Sequence, residues 1–347
     1  MPGTGAGTDT VGAMTITSTP PEIRPARRIA RAVLLWLLVV SGLGWAAVRL
    51  LGLEWGPVVQ LFAFTPYAAV GAWIPVMVAL GVRRRLIAAV AAVAAVVLAM
   101  CVLPRAVPDA GRGPESGVRL IVMTLNLFAG ATDARALVDL VRANDVAALA
   151  VQELTPAAAS GLGAAGLGTL LPYHALADEP GTTGSGLYSR YPISSPGSQR
   201  GAGGNLQAYA TVRAPRAGPL RIESAHPLAP YAVSALAAWE TDLAAEPPAD
   251  PRGTPRILLG DFNATLDHAP LRELVARGYR DAADAAGKGL TGTWGPYRGR
   301  ALLPVTIDHV LVDKRIGVRD VEVHDVAGSD HRAIVATLTV PAVAAGG

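Results

Sequence analysis

Three long uncharged stretches crowd the first third of the chain: 32–48, bracketed by Arg31 and Arg49; 55–82, which carries Pro57, Pro66 and Pro75; and 86–104, following Arg83, Arg84 and Arg85. A bilayer crossing takes about 17 to 25 apolar residues. Each stretch meets that length, and between them they leave almost no polar face for a water-soluble packing. A membrane anchor of three transmembrane helices is therefore expected over 32–104, with 1–31 as a tail. The first stretch starts too far from the N-terminus, and is followed too soon by two more, to read as a cleaved signal peptide.

Basic residues orient the anchor. Arg24, Arg27, Arg28 and Arg31 precede the first stretch and the arginine triplet lies between the second and third, so both clusters are expected in the cytoplasm. Three crossings then put everything after residue 104 outside. The net charge divides along the same line: residues 1–104 hold 8 basic and 3 acidic side chains, a balance of +5, whereas 105–347 hold 22 and 24, a balance of −2. Only two lysines, Lys288 and Lys314, occur in the outer part. Proteins that grip long nucleic acid do so through many cationic contacts to phosphate, so that class of partner is disfavoured. The single cysteine, Cys101, falls in the third stretch, which leaves the outer part without disulfide or thiolate chemistry.

Residues 105–117 are rich in Pro, Gly and charge and read as a linker, with one globular domain at 118–340 and a short tail at 341–347. Apolar runs predict strands at 119–127, 146–151, 184–190, 206–213, 219–225, 256–260, 307–312, 318–324 and 333–339. Helices fit 132–144, 232–245 and 268–277. Many strands with a few crossover helices suggest an α/β fold, two sheets packed face to face with helices outside. The string Gly161-Leu162-Gly163-Ala164-Ala165-Gly166 imitates a dinucleotide fingerprint, but it follows no strand directly and has no acid about 20 residues on. It is read as a flexible loop.

Chemistry gathers at the strand ends. Asn126 closes the first strand, Gln152 and Glu153 follow the second, Asp261 and Asn263 follow Ile257-Leu258-Leu259-Gly260, Asp308 opens another, and Asp330-His331 lies between two more. Alternate residues of an extended segment point the same way, so Asp261 and Asn263 can address one substrate; they can also form an Asx-turn or cap the helix at 268–277. A cluster of carboxylate and amide oxygens suits Mg²⁺ or Mn²⁺.

In order, Thr124-Leu125-Asn126, Gln152-Glu153, Tyr188-Ser189-Arg190-Tyr191-Pro192, Ala225-His226, Gly260-Asp261-Phe262-Asn263, Ile307-Asp308 and Ser329-Asp330-His331 resemble the motifs of the endonuclease/exonuclease/phosphatase superfamily, which includes DNase I, inositol phosphatases and neutral sphingomyelinases. The resemblance spans about 118–340 and implies a four-layer α/β/β/α sandwich and metal-dependent hydrolysis of a phosphoric ester or anhydride. It further implies Glu153 as the principal Mg²⁺ ligand with Asn126 and Asp330, and Asp261 as the residue that orients or deprotonates water. Asn263 would hold phosphate oxygens, Asp308 would orient His331, and His226 matches the other family histidine. Two departures stand out: many relatives carry Arg where Thr306 stands, and Arg190 reads better as support for the sheet than as a substrate contact.

The layout of amino-terminal spans followed by this domain resembles the VanJ-type glycopeptide-resistance proteins. That implies a lipid-linked phosphate substrate, such as undecaprenyl diphosphate, at the outer face of the membrane. Two alternatives remain at the level of sequence: a membrane-tethered extracellular nuclease, marked by a basic groove, and a non-catalytic binding protein, marked by Asp261 and His331 too far apart to share one phosphate.

Overall fold

The computed structural model describes residues 3, 23–109, 113–114, 116–295 and 303–342. Among the described residues, twelve strands form two six-stranded sheets. The first has the order β11-β12-β1-β2-β4-β3, built from β1 (Val118–Asn126), β2 (Ala148–Gln152), β3 (Tyr173–Ala177), β4 (Ser185–Ser189), β11 (Gly317–Asp325) and β12 (Arg332–Val340). The second has the order β5-β6-β7-β8-β10-β9, built from β5 (Ile193–Arg200), β6 (Leu206–Val212), β7 (Leu220–Ala225), β8 (Arg256–Asp261), β9 (Tyr279–Asp281) and β10 (Asp308–Asp313).

The side-chain alternation of β1 sorts the layers. Leu120 and Val122 pack inward against Ile222, Ile257 and Leu259 of the second sheet. Ile121, Met123 and Leu125 point outward to Leu137, Val138 and Val141. Those three belong to α6 (Ala134–Ala143), which starts where Asp133 accepts hydrogen bonds from the backbone N–H groups of Arg135 and Ala136. On the opposite outer face, Trp239 and Leu243 of a helix at 236–245, together with Leu271 and Leu274 of one at 269–276, cover Leu258 and Leu311. The result is the expected α/β/β/α sandwich.

The stretch expected to form the anchor departs from three plain spans. Two of its helices, α1 (Ile23–Leu51) and α5 (Arg85–Val102, extended by a 3₁₀ turn to Ala106), hold apolar segments long enough to cross a bilayer. The middle stretch is broken into α2 (Val58–Phe62), α3 (Thr65–Gly71) and α4 (Trp73–Gly81), leaving Thr65–Gly81 as a shorter apolar unit. Proline explains the breaks: Pro57 caps α2, Pro66 opens α3, and Pro75 lies just inside α4, each lacking the N–H that would continue a helix from the turn before it.

Leu35 and Val39 of α1 and Val76 and Ala79 of α4 pack on Ala91, Ala95 and Leu98 of α5. The opposite faces carry a broad exposed apolar band that includes Leu34, Leu37, Ile74, Met77, Leu86 and Met100. Monomeric proteins in water seldom expose so continuous a patch.

The domain-facing end of this bundle is bolted on. Asp267 accepts hydrogen bonds from Arg49 Nε at the end of α1 (2.8 Å) and from Arg105 after α5 (2.7 and 2.8 Å). Glu54 accepts from the N–H of Ala269 at 2.7 Å. Val59 is fully buried among the helices of the outer layer, and its carbonyl lies 2.8 Å from His268 Nε2. Residues expected to link anchor and domain also touch the domain, as where the Asp109 N–H donates to Ala285 O.

The Gly161–Gly166 string is not the expected loop. Pro156–Ala164 is a helix: Thr155 Oγ1 accepts from the N–H of Ala158, Pro156 stands in the first turn, and Leu162 is buried against the outer face of the first sheet.

Candidate active site

Strand register brings the expected residues to one edge. Parallel pairing sets Asn126 beside Gln152, and antiparallel pairing sets Asp308 beside Asp261. Parallel pairing of β7 with β8 places Ala225 beside Gly260, so His226 emerges next to Asp261. A side chain at Gly260 would meet Ala225 O at 2.0 Å and Gln152 Nε2 at 2.9 Å, which is why glycine precedes the acid. Gln152 itself ties the sheets together, donating to Ser224 Oγ at 2.9 Å.

Asp261 is the hub. Its Oδ2 accepts from Asn126 Nδ2 at 3.0 Å and lies 3.7 Å from His331 Nε2 and 4.0 Å from His226 Nε2. Its Oδ1 accepts from the N–H of Asn263 at 2.8 Å, an Asx-turn. Turn and cluster are thus one structure, whereas the capping alternative fails: the residue before the 269–276 helix is His268. His331 Nδ1 sits 2.9 and 3.1 Å from the two oxygens of Asp308, fixing the ring between two carboxylates. Thr293 Oγ1 accepts from the N–H groups of Ile307 and Asp308, at 3.1 Å each, and so sets the start of β10.

Glu153, just after β2, has a left-handed φ of 55°, as does Asn263 at 49°. Non-glycine residues held there by their surroundings are costly and cluster at functional sites. The Glu153 carboxylate accepts from Asn126 Nδ2 at 3.2 Å and from the N–H of Ala129. Asn263 Nδ2 donates to Pro227 O at 3.0 Å, which leaves its second amide hydrogen and its Oδ1 for a ligand.

Burial sets the electrostatics. Loss of solvent raises the Asp261 carboxyl to about 7, with Asp308 adding to the rise and His331 opposing it. Burial also raises Glu153, partly offset by its hydrogen bonds from Ala129 and Asn126. His331 is pushed the other way: burial opposes its charge, but Asp308 and Asp261 more than compensate and raise it to about 10. His226 falls to about 3, because burial disfavours its charged form and the His331 imidazolium repels it. The two histidines are therefore an imidazolium and a neutral ring at pH 7.

Two groups of side chains could take a cation. Asp261, Asp308 and His331 offer ligand atoms all within 4.8 Å of one another. Both carboxylates there already face the His331 imidazolium, which a cation would have to displace. The other group is Glu153, Asn126 and Asp330. Asp330 Oδ1 is buried with no hydrogen-bond partner among the described residues and lies 4.0 Å from His331 Nε2, so its burial is only partly compensated. With the Glu153 carboxylate it provides the hard oxygen donors a divalent cation prefers, and Asn126 Oδ1, which accepts from the N–H of Phe128 at 2.9 Å, would join through its second lone pair.

Residues the sequence did not flag also shape the site. Trp294 bridges Val305 and His331 through the backbone, and its ring centroid is 6.3 Å from that of His331. Asp242 accepts from the N–H groups of Gly203 and Leu228, and Gln207 Oε1 accepts from the N–H of His226 at 2.8 Å; together they hold the 226–230 loop. A lone buried acid and a lone amide carry no pattern that would single them out beforehand. Arg190 stays outside the site, pairing with Asp145 at 2.7 Å and donating to Val146 O.

Above this edge lies a cleft of about 690 Å³. Glu153, Asp261 and His331 form part of its floor, Phe128 and Tyr231 its rim, and Gln60, Ala63 and Phe64 from the anchor one wall.

The endonuclease/exonuclease/phosphatase family profile matches residues 123–331, and the chain belongs to that family of metal-dependent phosphoester hydrolases. Among solved structures, a humanized D. rerio TDP2 aligns at 17% identity with TM-score 0.53, over 64% of this chain and 99% of that one. A family member from Leptotrichia buccalis aligns at 15% identity and TM-score 0.53, over 63% and 99%. One from Beutenbergia cavernae aligns at 18% and 0.51, over 64% and 72%. These likenesses establish the shared fold. A comparison with curated proteins gives no match.

Proposed function

We propose that the protein is a membrane-embedded, Mg²⁺- or Mn²⁺-dependent phosphohydrolase that cleaves the terminal phosphoanhydride of a polyprenyl diphosphate, such as undecaprenyl diphosphate, at the outer face of the membrane. The observation that carries this reading is the composition of the cleft: its floor is the acidic and imidazole cluster, yet one wall is the membrane anchor, and no Arg or Lys lines it among the described residues. A site for long nucleic acid would need cationic contacts to successive phosphates.

Topology supports the same reading. Arg49 and Arg105 meet at Asp267, so the ends of α1 and α5 lie on one side. Arg85 begins α5, whose 18 residues span about 27 Å at 1.5 Å each, so the arginine triplet sits at the far end with the start of α1. Basic clusters at that end favour a cytoplasmic location for it, and hence an outer location for the cleft. With α3 and α4 taken as one kinked crossing, the anchor has three spans.

On this reading each site residue has a role. Glu153, Asn126 and Asp330 would hold the cation, which when bound would neutralise charge on the phosphoryl oxygens. Asp261 receives a proton from a water molecule whose oxygen attacks the terminal phosphorus; the bridging P–O bond breaks, and the products are the lipid monophosphate and inorganic phosphate. His331, kept cationic by Asp308, and the amide of Asn263 bind equatorial oxygens as charge develops there, and neutral His226 completes the wall. Asp261 and His331, 3.7 Å apart, are close enough to serve one phosphoryl group.

The test is release of inorganic phosphate from undecaprenyl diphosphate, set beside nicking of plasmid DNA, with wild type and Glu153→Ala, each with and without EDTA. Lipid hydrolysis abolished by EDTA and by the substitution is expected. Nicking of DNA without lipid hydrolysis would overturn the substrate assignment, and no metal-dependent turnover of either would overturn the mechanism.

A further inference from the structure

A second cavity, about 350 Å³, adjoins the cleft on its membrane side, and Ala63 and Val305 border both. Its walls are Tyr67 and Val70 of α3, Ala99 and Leu103 at the end of α5, and Leu290 and Thr306 from the domain. The polar groups around it are already engaged. Arg105 and Asp267 are paired with each other, His309 is held between Asp281 Oδ2 at 2.7 Å and Ala264 O at 2.8 Å, and Tyr67 Oη donates to Pro304 O at 2.7 Å. What remains facing the cavity is hydrocarbon. The groove thus lies between α3 and α5 and meets the cleft at Ala63 and Val305.

We propose that this groove holds the proximal hydrocarbon chain of a lipid phosphate whose headgroup occupies the cleft, so that anchor residues select substrate by chain length. The proposal rests on the lipid-phosphate reading and adds to it a specificity determinant outside the hydrolytic domain. The cavity meets the cleft at Ala63 and Val305, with α3 on one side and the 303–306 segment on the other, and its volume of about 350 Å³ suits a stretch of one hydrocarbon chain. Burying a few methylene groups there strengthens binding of a long-chain substrate and does nothing for a short one.

The experiment uses the full chain in detergent with two substrates, undecaprenyl diphosphate and isopentenyl diphosphate. Ala99→Phe fills the groove from α5, and Val70→Trp fills it from α3 at a position 74% exposed, where bulk is tolerated. Each is expected to raise KM for the long-chain substrate about tenfold and to change KM for the short one less than about twofold. Equal effects on both substrates, or none on either, would overturn the groove assignment while leaving the hydrolytic reading intact. A second readout needs no turnover: a photoreactive undecaprenyl diphosphate analogue should label peptides from 65–71 and 99–106, and unlabelled lipid should compete. Labelling confined to other segments overturns the proposal, and labelling without hydrolysis separates failure of the catalytic reading from failure of this one.

Discussion

Asp261 and Asp267 are six residues apart in the chain, both fully enclosed, and opposite in character. Asp267 is clasped by the guanidinium groups of Arg49 and Arg105; burial would raise its carboxyl, but the two cations more than offset that and hold it below the usual carboxylate range. Asp261 receives only amide hydrogen bonds and the more distant His331, and burial leaves it raised. A compensated charge joins the N-terminal helices to the domain, and an under-compensated one at the end of β8 keeps a raised carboxyl. Full pairing serves cohesion, and partial pairing leaves room for chemistry.

Removing either acid should break the symmetry in opposite ways. Asp261→Asn is expected to lower kcat by about 10²- to 10⁴-fold, as loss of a general base does. Its melting temperature in detergent should not fall, because a poorly compensated charge has gone; a large drop would mean that Asp261 is structural.

Asp267→Ala is expected to do the reverse. Two buried guanidinium groups lose their partner, a change that costs about 3 to 5 kcal/mol, read by denaturant unfolding of the full chain. Turnover per folded molecule should hardly change. Replacing all three members together, Asp267→Leu with Arg49→Met and Arg105→Met, should recover most of the loss; failure to recover would show that the node does more than balance charge.

Asp308→Asn tests the other side of the hub. His331 is raised to about 10 from 6.5, so its imidazolium contributes stability that is complete below about 6.5 and is lost as pH rises through about 10. Without Asp308 that window should contract toward neutral pH, and the alkaline limb of the pH–rate profile should move to lower pH. An unmoved limb would remove His331 from the rate.

The smallest effect concerns a third buried acid, Glu223, raised to about 7 by burial, with Arg256, Arg221 and Gln199 opposing the rise. Folded chains hold its proton while unfolded chains release it near 4.5, so stability falls as pH rises between those values. Glu223→Gln should flatten that part of the melting-temperature profile. A steeper profile would refute the assignment.

What the sequence disclosed follows from local chemistry. The strand at 256–261 was readable because an uninterrupted apolar run ends in Gly-Asp, and ordered motifs led from Asn126 to His331. β5 was not, since its residues are mostly exposed, it contains Pro196, and a bulge shifts its register between Ser194 and Gly197. The helix at 156–164 was hidden by its glycines, whose low propensity is overcome by the Thr155 cap and by packing of Leu162. The Asp267 node was beyond reach altogether: its arginines lie 218 and 162 residues away, and nothing in a short window ties them to it. Gln60 and Phe64 are equally mute as part of a catalytic wall until the anchor is folded onto the domain.

The arginine clasp on Asp267 has one more consequence. Because it fixes the hydrolytic edge to the ends of two bilayer-length helices, the proposed membrane location would hold the enzyme at a set height above the lipid, like a plane iron locked in its block. On that proposal, phosphates presented at that level would be cut, and those carried far into the solvent on a tall headgroup would pass over the blade.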